Sequence, residues 1–175
     1  YLDKPSIKKE SRFPIDIYQC NKCNCVQTLD DIDPDFLWQD YTYFSGQTSG
    51  IINHFSEFAK DILNEFSFGE SINVLDIGSN DGSLLKHFKQ KGLKTIGVEP
   101  TNISKIANEN GIRTIQSFFN KKITDEIKSA DGKAKLITST NVFAHMSSLG
   151  DVMEGITNLI DDDGYYAFEN HYIME

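Results

Sequence analysis

The chain has 175 residues, 39% of them hydrophobic, and its 17 basic and 26 acidic side chains give a formal charge of −9. That length suits one α/β domain plus a small appendage with an ordinary buried core. No Lys/Arg cluster is flanked by aromatics, so a nucleic-acid partner is not expected; no apolar run spans a membrane and no signal-peptide core is visible, so no membrane partner is expected and a cytoplasmic setting is the default.

Residues 1–45 read as an N-terminal cysteine-containing lobe and aromatic connector. Residues 13–19 and 26–29 look like two short strands around Cys20, Cys23 and Cys25, forming a knuckle-shaped hairpin. A C-x-x-C turn puts two thiolates on one side of a tight loop, as each half of a tetrahedral zinc site requires. The second half is not in the chain, so Cys20 and Cys23 are read as a partial zinc site, against plain reduced thiols or a redox pair. The following segment is rich in acids and aromatics. Phe36 and Trp38 are expected to pack the lobe on the larger domain, whereas Tyr41 and Tyr43 could lay hydroxyls over a cofactor or substrate.

Residues 46–175 read as a second, cofactor-binding domain. A helix is predicted over residues 51–66, with Ile52, Phe55, Ala59, Ile62, Leu63 and Phe66 on one face. Val74, Leu75 and Ile77 then suit a buried parallel strand, and Leu84, Leu85 and Phe88 repeat at helical spacing toward Gly92. Between them lies Asp76, Gly78, Asn80 and Gly82. Glycines at such a turn let the backbone bend, and the new helix offers unpaired N–H groups to a ligand.

The residue types discriminate between cofactors. A dinucleotide turn uses G-x-G-x-x-G and keeps its second glycine clear for the pyrophosphate. Asn80 crowds that position, and Asp76 would set negative charge near a pyrophosphate. Near an ammonium and a sulfonium the same charge is favourable. A second strand, residues 94–98, ends at Glu99 and Pro100, some twenty residues on, where an acid can accept hydrogen bonds from both hydroxyls of a ribose. Turn and acid together resemble motif I and the following acidic strand end of the class I S-adenosylmethionine-dependent methyltransferases.

The alternation continues with a helix over 103–110, a strand over 114–116, a helix near 121–129, a strand over 134–139, a helix over 151–160 and a strand over 165–171. The predicted fold is therefore a Rossmann-like α/β core with helices on both faces of a parallel sheet. Ser117, Phe118 and Phe119 follow the third strand of this core, and Phe118 or Phe119 is a candidate wall for an adenine. Asn141 and His145 emerge after the fourth strand, at the crevice where open α/β sheets bind ligands. His145 can hold or deprotonate a substrate, and Tyr43 is a second candidate for chemistry. His54 and His87 fall within helices and are expected to pack or face solvent. The triplet Asp161, Asp162, Asp163 before Gly164 is expected to form a solvated turn.

The segments PIDIYQCNKCNCVQ, DYTYFSG, VLDIGSNDGSLLKHF, GVEPTNISKIANENGI, NVFAHM and AFENHY, in that order, are similar to the zinc-containing sugar C-methyltransferases that act on nucleotide-linked keto-deoxysugars. The resemblance implies S-adenosylmethionine as methyl donor, a nucleotide sugar as partner and C-methylation through an enolate. It assigns Cys20 and Cys23 to the family's second zinc pair, Asp76, Gly78, Asn80 and Glu99 to the cofactor, and His145 to the motif after the fourth strand. Two departures stand out: the first zinc pair is absent, and the chain stops before the family's Tyr-x-Glu-His segment. Those departures and the start at Tyr1 imply a fragment that binds the methyl donor but methylates poorly or not at all. A nicotinamide-dependent oxidoreductase or epimerase and a non-catalytic partner-binding module remain the alternatives.

Overall fold

A computed structural model describes residues 12–38, 41–69 and 72–171. The chain divides into two compact units, Tyr1–Gln39 and Asp40–Glu175. Tyr41 and Tyr43 thus belong to the larger unit.

In the smaller unit, β1 (Tyr18–Gln19) and β2 (Val26–Gln27) pair antiparallel, Tyr18 opposite Gln27. The ladder is far shorter than the two runs suggested. Ile15, Ile17 and Leu29 are exposed, so no buried face rewards a longer pairing. The connecting turn is held by the Cys20 N–H donating to the Cys25 carbonyl (2.8 Å) and the Asn24 N–H to the Cys20 carbonyl (2.9 Å), with Asn24 at φ +59°. Asn tolerates that left-handed conformation better than most side chains. A short helix, α1 (Pro34–Trp38), follows in what the sequence presented as connector. Asp33 starts it by accepting the Asp35 N–H at 2.9 Å. The Phe36 side chain is exposed, its ring 5.8 Å from that of Phe13 within the same unit.

The larger unit begins its regular structure with α2 (Ser49–Glu65), whose Phe55, Ala59 and Ile62 are buried. Ile52, expected on that face, is exposed. The elements β3 (Asn73–Ile77), α3 (Ser83–Gln90), β4 (Lys94–Val98), α4 (Ile103–Glu109), β5 (Thr114–Ile115), α5 (Lys121–Asp131), β6 (Ala134–Thr140), α6 (Leu149–Leu159) and β7 (Ile160–Glu169) then alternate. Their sheet has the order β5-β4-β3-β6-β7, every pair parallel. Strands added to opposite sides of β3 make the β3/β6 boundary the switch point, and ligands bind beyond the carboxyl ends there.

Both faces of the sheet are covered, which is why its strands read as apolar runs and not as alternations. Val74 and Leu136 face a core shared with Phe55, Ala59, Ile62, Leu84, Leu85, Phe88 and Ala107, from α2, α3 and α4. Leu75, Ile77 and Ile137 face another with Ile123, Ile127, Val152, Ile156 and Leu159, from α5 and α6. Asp76 stands in the middle of this sequence, where an apolar residue would complete the strand.

The fifth strand of the sheet differs from expectation. Asp161, Asp162, Asp163 and Gly164 are not a separate turn before it; they lie inside β7, in an irregularity of register. Ala134 pairs Ile160 and Leu136 pairs Tyr165, so the four intervening residues bulge out. Lys133 and Lys135 hold the bulge through ion pairs to Asp161, Asp162 and Asp163. Among the described residues no helix is long and apolar enough to cross a membrane.

Candidate functional site

The turn after β3 is bound to the end of β4. The Gly78 and Ser79 N–H groups both donate to the Val98 carbonyl, at 2.8 and 3.2 Å. Three residues of the turn have positive φ: Gly78 (+68°), Asn80 (+50°) and Gly82 (+79°). A Cβ on Gly78 would come within 2.6 Å of Val142, and one on Gly82 within 2.9 Å of Ile112. The glycines are therefore required twice, for conformation and for space. Val142, in the loop after β6, lies directly over the first of them.

Two buried acids flank this turn. Asp76 is 3% exposed, and its Oδ1 accepts the Thr138 hydroxyl at 2.7 Å. Burial pushes its carboxyl up to about 7, the Thr138 hydrogen bond opposes that rise, and the Glu99 charge adds to it. Glu99 is 4% exposed, and its two oxygens accept one backbone N–H each, from Asn80 (3.0 Å) and Thr101 (2.9 Å). Each oxygen keeps a second lone pair for another donor. Pro100, next in sequence, is half-buried, and its carbonyl accepts a long 3.5 Å bond from the Gln116 amide.

Asn80 does more than tolerate its left-handed backbone. Its Oδ1 accepts the N–H groups of Asp81 (2.9 Å) and Ser45 (3.0 Å), and its Nδ2 donates to the Tyr43 carbonyl at 3.0 Å. Asp81 Oδ2 accepts the Gly46 N–H at 2.8 Å, while its Oδ1 accepts the hydroxyl and the N–H of Ser83. The segment carrying Tyr41 and Tyr43 is thereby tied to the turn. The two phenol rings meet edge-on, centroids 6.4 Å apart, and the Tyr43 side chain is exposed. Partial burial, and after it the Glu99 charge, raise the Tyr41 phenol above its usual range.

The residues after β6 and β5 complete the rim. Asn141, at φ +55°, donates its N–H to the Glu169 carbonyl (2.8 Å) and its Nδ2 to the Glu169 carboxylate (2.9 Å). Glu169 also meets His54 Nε2 at 2.6 Å. His54, expected only to pack or face solvent, thus ties α2 to the carboxyl end of β7. His145 is exposed in a single helical turn, its N–H donating to the Val142 carbonyl at 2.9 Å. Phe118 is exposed beyond β5, whereas Phe119 is buried in the core against α6. Of the two, only Phe118 is exposed.

The structure thus brings Asp76, Gly78, Asn80, Gly82, Glu99 and Tyr43 to one turn, with Asn141 one residue before the valine that covers Gly78. Cys20 and Cys23 belong to the other unit. There the N–H of Cys23 and then of Lys22, which lies 3.5 Å from Cys20 Sγ, lower the Cys20 thiol below its usual range. Among the described residues no group of three or more His, Cys, Asp or Glu is placed to hold a metal, so these residues alone do not complete a zinc site. Sequence reasoning missed Thr138, Asp81, Glu169 and His54. The carboxyl-end rule that selected Asn141 applies equally to Glu169 at the end of β7; Asp81 has a local signal in its bonds to Ser83 at the start of α3, and Thr138 and His54 are set by tertiary contacts.

Comparison with known proteins bears on the fold and family. A family model described as a methyltransferase domain matches residues 52–172. The C-methyltransferase NovU of Streptomyces niveus is 29% identical over 174 residues, covering 99% of this chain and 41% of that protein, so the chain spans well under half the length of this curated relative. Among solved structures, the plantazolicin methyltransferase BpumL, in complex with a desmethylPZN analog and SAH, superposes with a TM-score of 0.55 at 14% identity over 71% of this chain and 49% of that one. A putative S-adenosyl-L-methionine-dependent methyltransferase from Methanococcus maripaludis gives 0.54 at 14% identity over 74% and 65%. Nothing in these comparisons supports the nicotinamide-dependent alternative. With its parallel α/β sheet and a family match over most of its length, the chain belongs to the methyltransferase domain family.

Proposed function

We propose that this chain carries the methyl-donor site of an S-adenosylmethionine-dependent C-methyltransferase acting on a nucleotide-linked keto-deoxysugar. The observation that carries the cofactor half is the pair of buried acids, Asp76 and Glu99, on either side of a turn whose glycines leave no room for a Cβ. Glu99 has a free lone pair on each oxygen for the two ribose hydroxyls, and an ionised Asp76 favours a positively charged ligand. In this reading Gly78, Gly82 and Asn141 shape the turn and rim around the ligand, their N–H groups being bonded to Val98, Ser79 and Glu169, with Pro100 beside the ribose and the exposed ring of Phe118 against its adenine. When bound, the cofactor supplies an electrophilic methyl group on a sulfonium.

The acceptor half rests on the similarity to NovU, a C-methyltransferase, and on the family resemblance of the motifs. His145 and Tyr43, both exposed at the rim, then orient the keto sugar and handle the proton removed beside its carbonyl. In the smaller unit, the N–H groups aimed at Cys20 favour its thiolate, which supports a zinc site built from Cys20, Cys23 and two ligands outside the chain. Metal analysis of the full-length protein, with loss of zinc in Cys20→Ser, checks that part. A cytoplasmic setting and a nucleotide-sugar partner, with neither nucleic acid nor membrane, go with this reading.

The acceptor is tested by incubating the full-length protein with S-adenosylmethionine and a nucleotide-linked keto-deoxysugar and reading the product by NMR. A new carbon-bound methyl beside the keto carbon is the expected result. A methyl on oxygen or nitrogen, or no transfer to any such sugar, contradicts it.

A further inference from the structure

Asn80 stands where the common nucleotide-binding turn carries glycine, and glycine would satisfy its backbone φ of +50° without strain. What glycine could not supply is the side chain's three hydrogen bonds, two of which leave the turn altogether. They reach Tyr43 and Ser45, more than thirty positions earlier in the sequence, and Asp81 adds a third such bond to Gly46. Every one of these is made to a backbone group of the 43–46 segment, so the segment is held through its main chain.

Gly46 is matched to this contact from the other side. A Cβ there would stand 2.7 Å from both Asp81 Oδ2 and Ser83 Oγ. The strap therefore lies so close to the start of α3 that only glycine fits. At its aromatic end Tyr43 meets Tyr41 edge-on, and the Tyr41 phenol is raised by partial burial and then by the Glu99 charge.

We propose that Asn80 and Asp81 are positioning residues that latch residues 43–46 onto the cofactor turn, so that Tyr41 and Tyr43 form a wall of the methyl-donor pocket. The ligand class, an adenosine-bearing sulfonium or thioether, rests on the proposed function above. The latch itself does not: it is made of contacts within the chain. The dual use of Asn80 follows from its chemistry. One planar amide offers an acceptor to two N–H groups and a donor to a carbonyl, while its backbone N–H serves Glu99. Strap, turn and ribose acid are thereby joined through one residue.

Asn80→Gly separates the latch from the turn, since glycine keeps the backbone conformation and the N–H to Glu99 but removes the side-chain bonds. Gly46→Ala disturbs the same contact from the strap side, through the Asp81 and Ser83 side chains. Two readouts apply to each variant: amide hydrogen exchange at Ser45 and Gly46, and calorimetric affinity for S-adenosylhomocysteine. The expected result for both is faster exchange at Ser45 and Gly46 with β3 amides still protected, and binding about tenfold weaker, the equivalent of one or two lost hydrogen bonds. Unchanged exchange at these amides in Asn80→Gly overturns the latch. Faster exchange with wild-type affinity overturns the strap as a wall of the pocket. Should the unsubstituted protein fail to bind S-adenosylhomocysteine, the proposed function falls and with it the wall, while the exchange arm still decides the latch.

Discussion

At the scale of single residues, Asp76 carries the sharpest consequence. Its carboxyl titrates near 7 when folded, against about 4 in an unfolded chain. An acid raised in this way holds its proton longer in the folded state. Between those two values the folded protein binds more protons than the unfolded one, so the group's contribution is full below pH 4 and is lost as pH rises toward 7. The loss is on the order of 4 kcal/mol by that difference. Asp76→Asn, which cannot ionise and keeps an acceptor for Thr138, should therefore be more stable than the unsubstituted protein at pH 8 and indistinguishable near pH 4. Denaturant melts at the two pH values measure it; a variant less stable at pH 8 would contradict the account. The residue itself was legible in the sequence, because a charged side chain ending an apolar strand just before a glycine turn is conspicuous. Its partner Thr138 was not, since that contact spans 62 positions and leaves no local pattern.

At the scale of elements, the fit of the turn to β4 governs. Gly97 in β4 is buried, and a Cβ there would stand 2.3 Å from Ser79 Oγ and 2.7 Å from Thr114 Oγ1. Gly97→Ala must turn the Ser79 and Thr114 hydroxyls aside and crowd the Ser79 Cβ against the turn, and should cost about 1–3 kcal/mol in denaturant unfolding. It should also weaken cofactor binding, because the crowded turn carries the N–H to Glu99. Stability and affinity both at unsubstituted levels would mean that the turn is not seated on β4. The helices and parallel strands around this turn were readable because their apolar periods are strong, residues 84–88 and 134–139 being clear cases. The β7 bulge was not: Asp161, Asp162, Asp163 and Gly164 have turn composition, and the pairing of Ile160 and Tyr165 with β6 that brackets them, with Lys133 and Lys135 facing the acids, is tertiary. The brevity of β1 and β2 was likewise invisible, since the alternation is there and the buried face is not. The strap on the turn is hidden for a third reason: in the sequence Asn80 reads as an obstacle to a pyrophosphate, while its side-chain bonds to Ser45 and Tyr43 reach back more than thirty positions.

At the scale of the molecule, the larger unit joins three features into one account: a parallel sheet with its switch point at β3/β6, a glycine turn leaving β3, and a buried acid leaving β4. The family match covers residues 52–172, nearly all of that unit, and among the described residues no group of three or more His, Cys, Asp or Glu is placed to hold a metal. The most direct test of the central claim is calorimetric titration of S-adenosylhomocysteine into this protein and into Glu99→Ala. The account predicts one site per chain, weakened at least about a hundredfold when both lone-pair acceptors for the ribose are removed, as expected for two charge-assisted hydrogen bonds. No binding by the unsubstituted protein, or equal affinity in a folded Glu99→Ala, would contradict it.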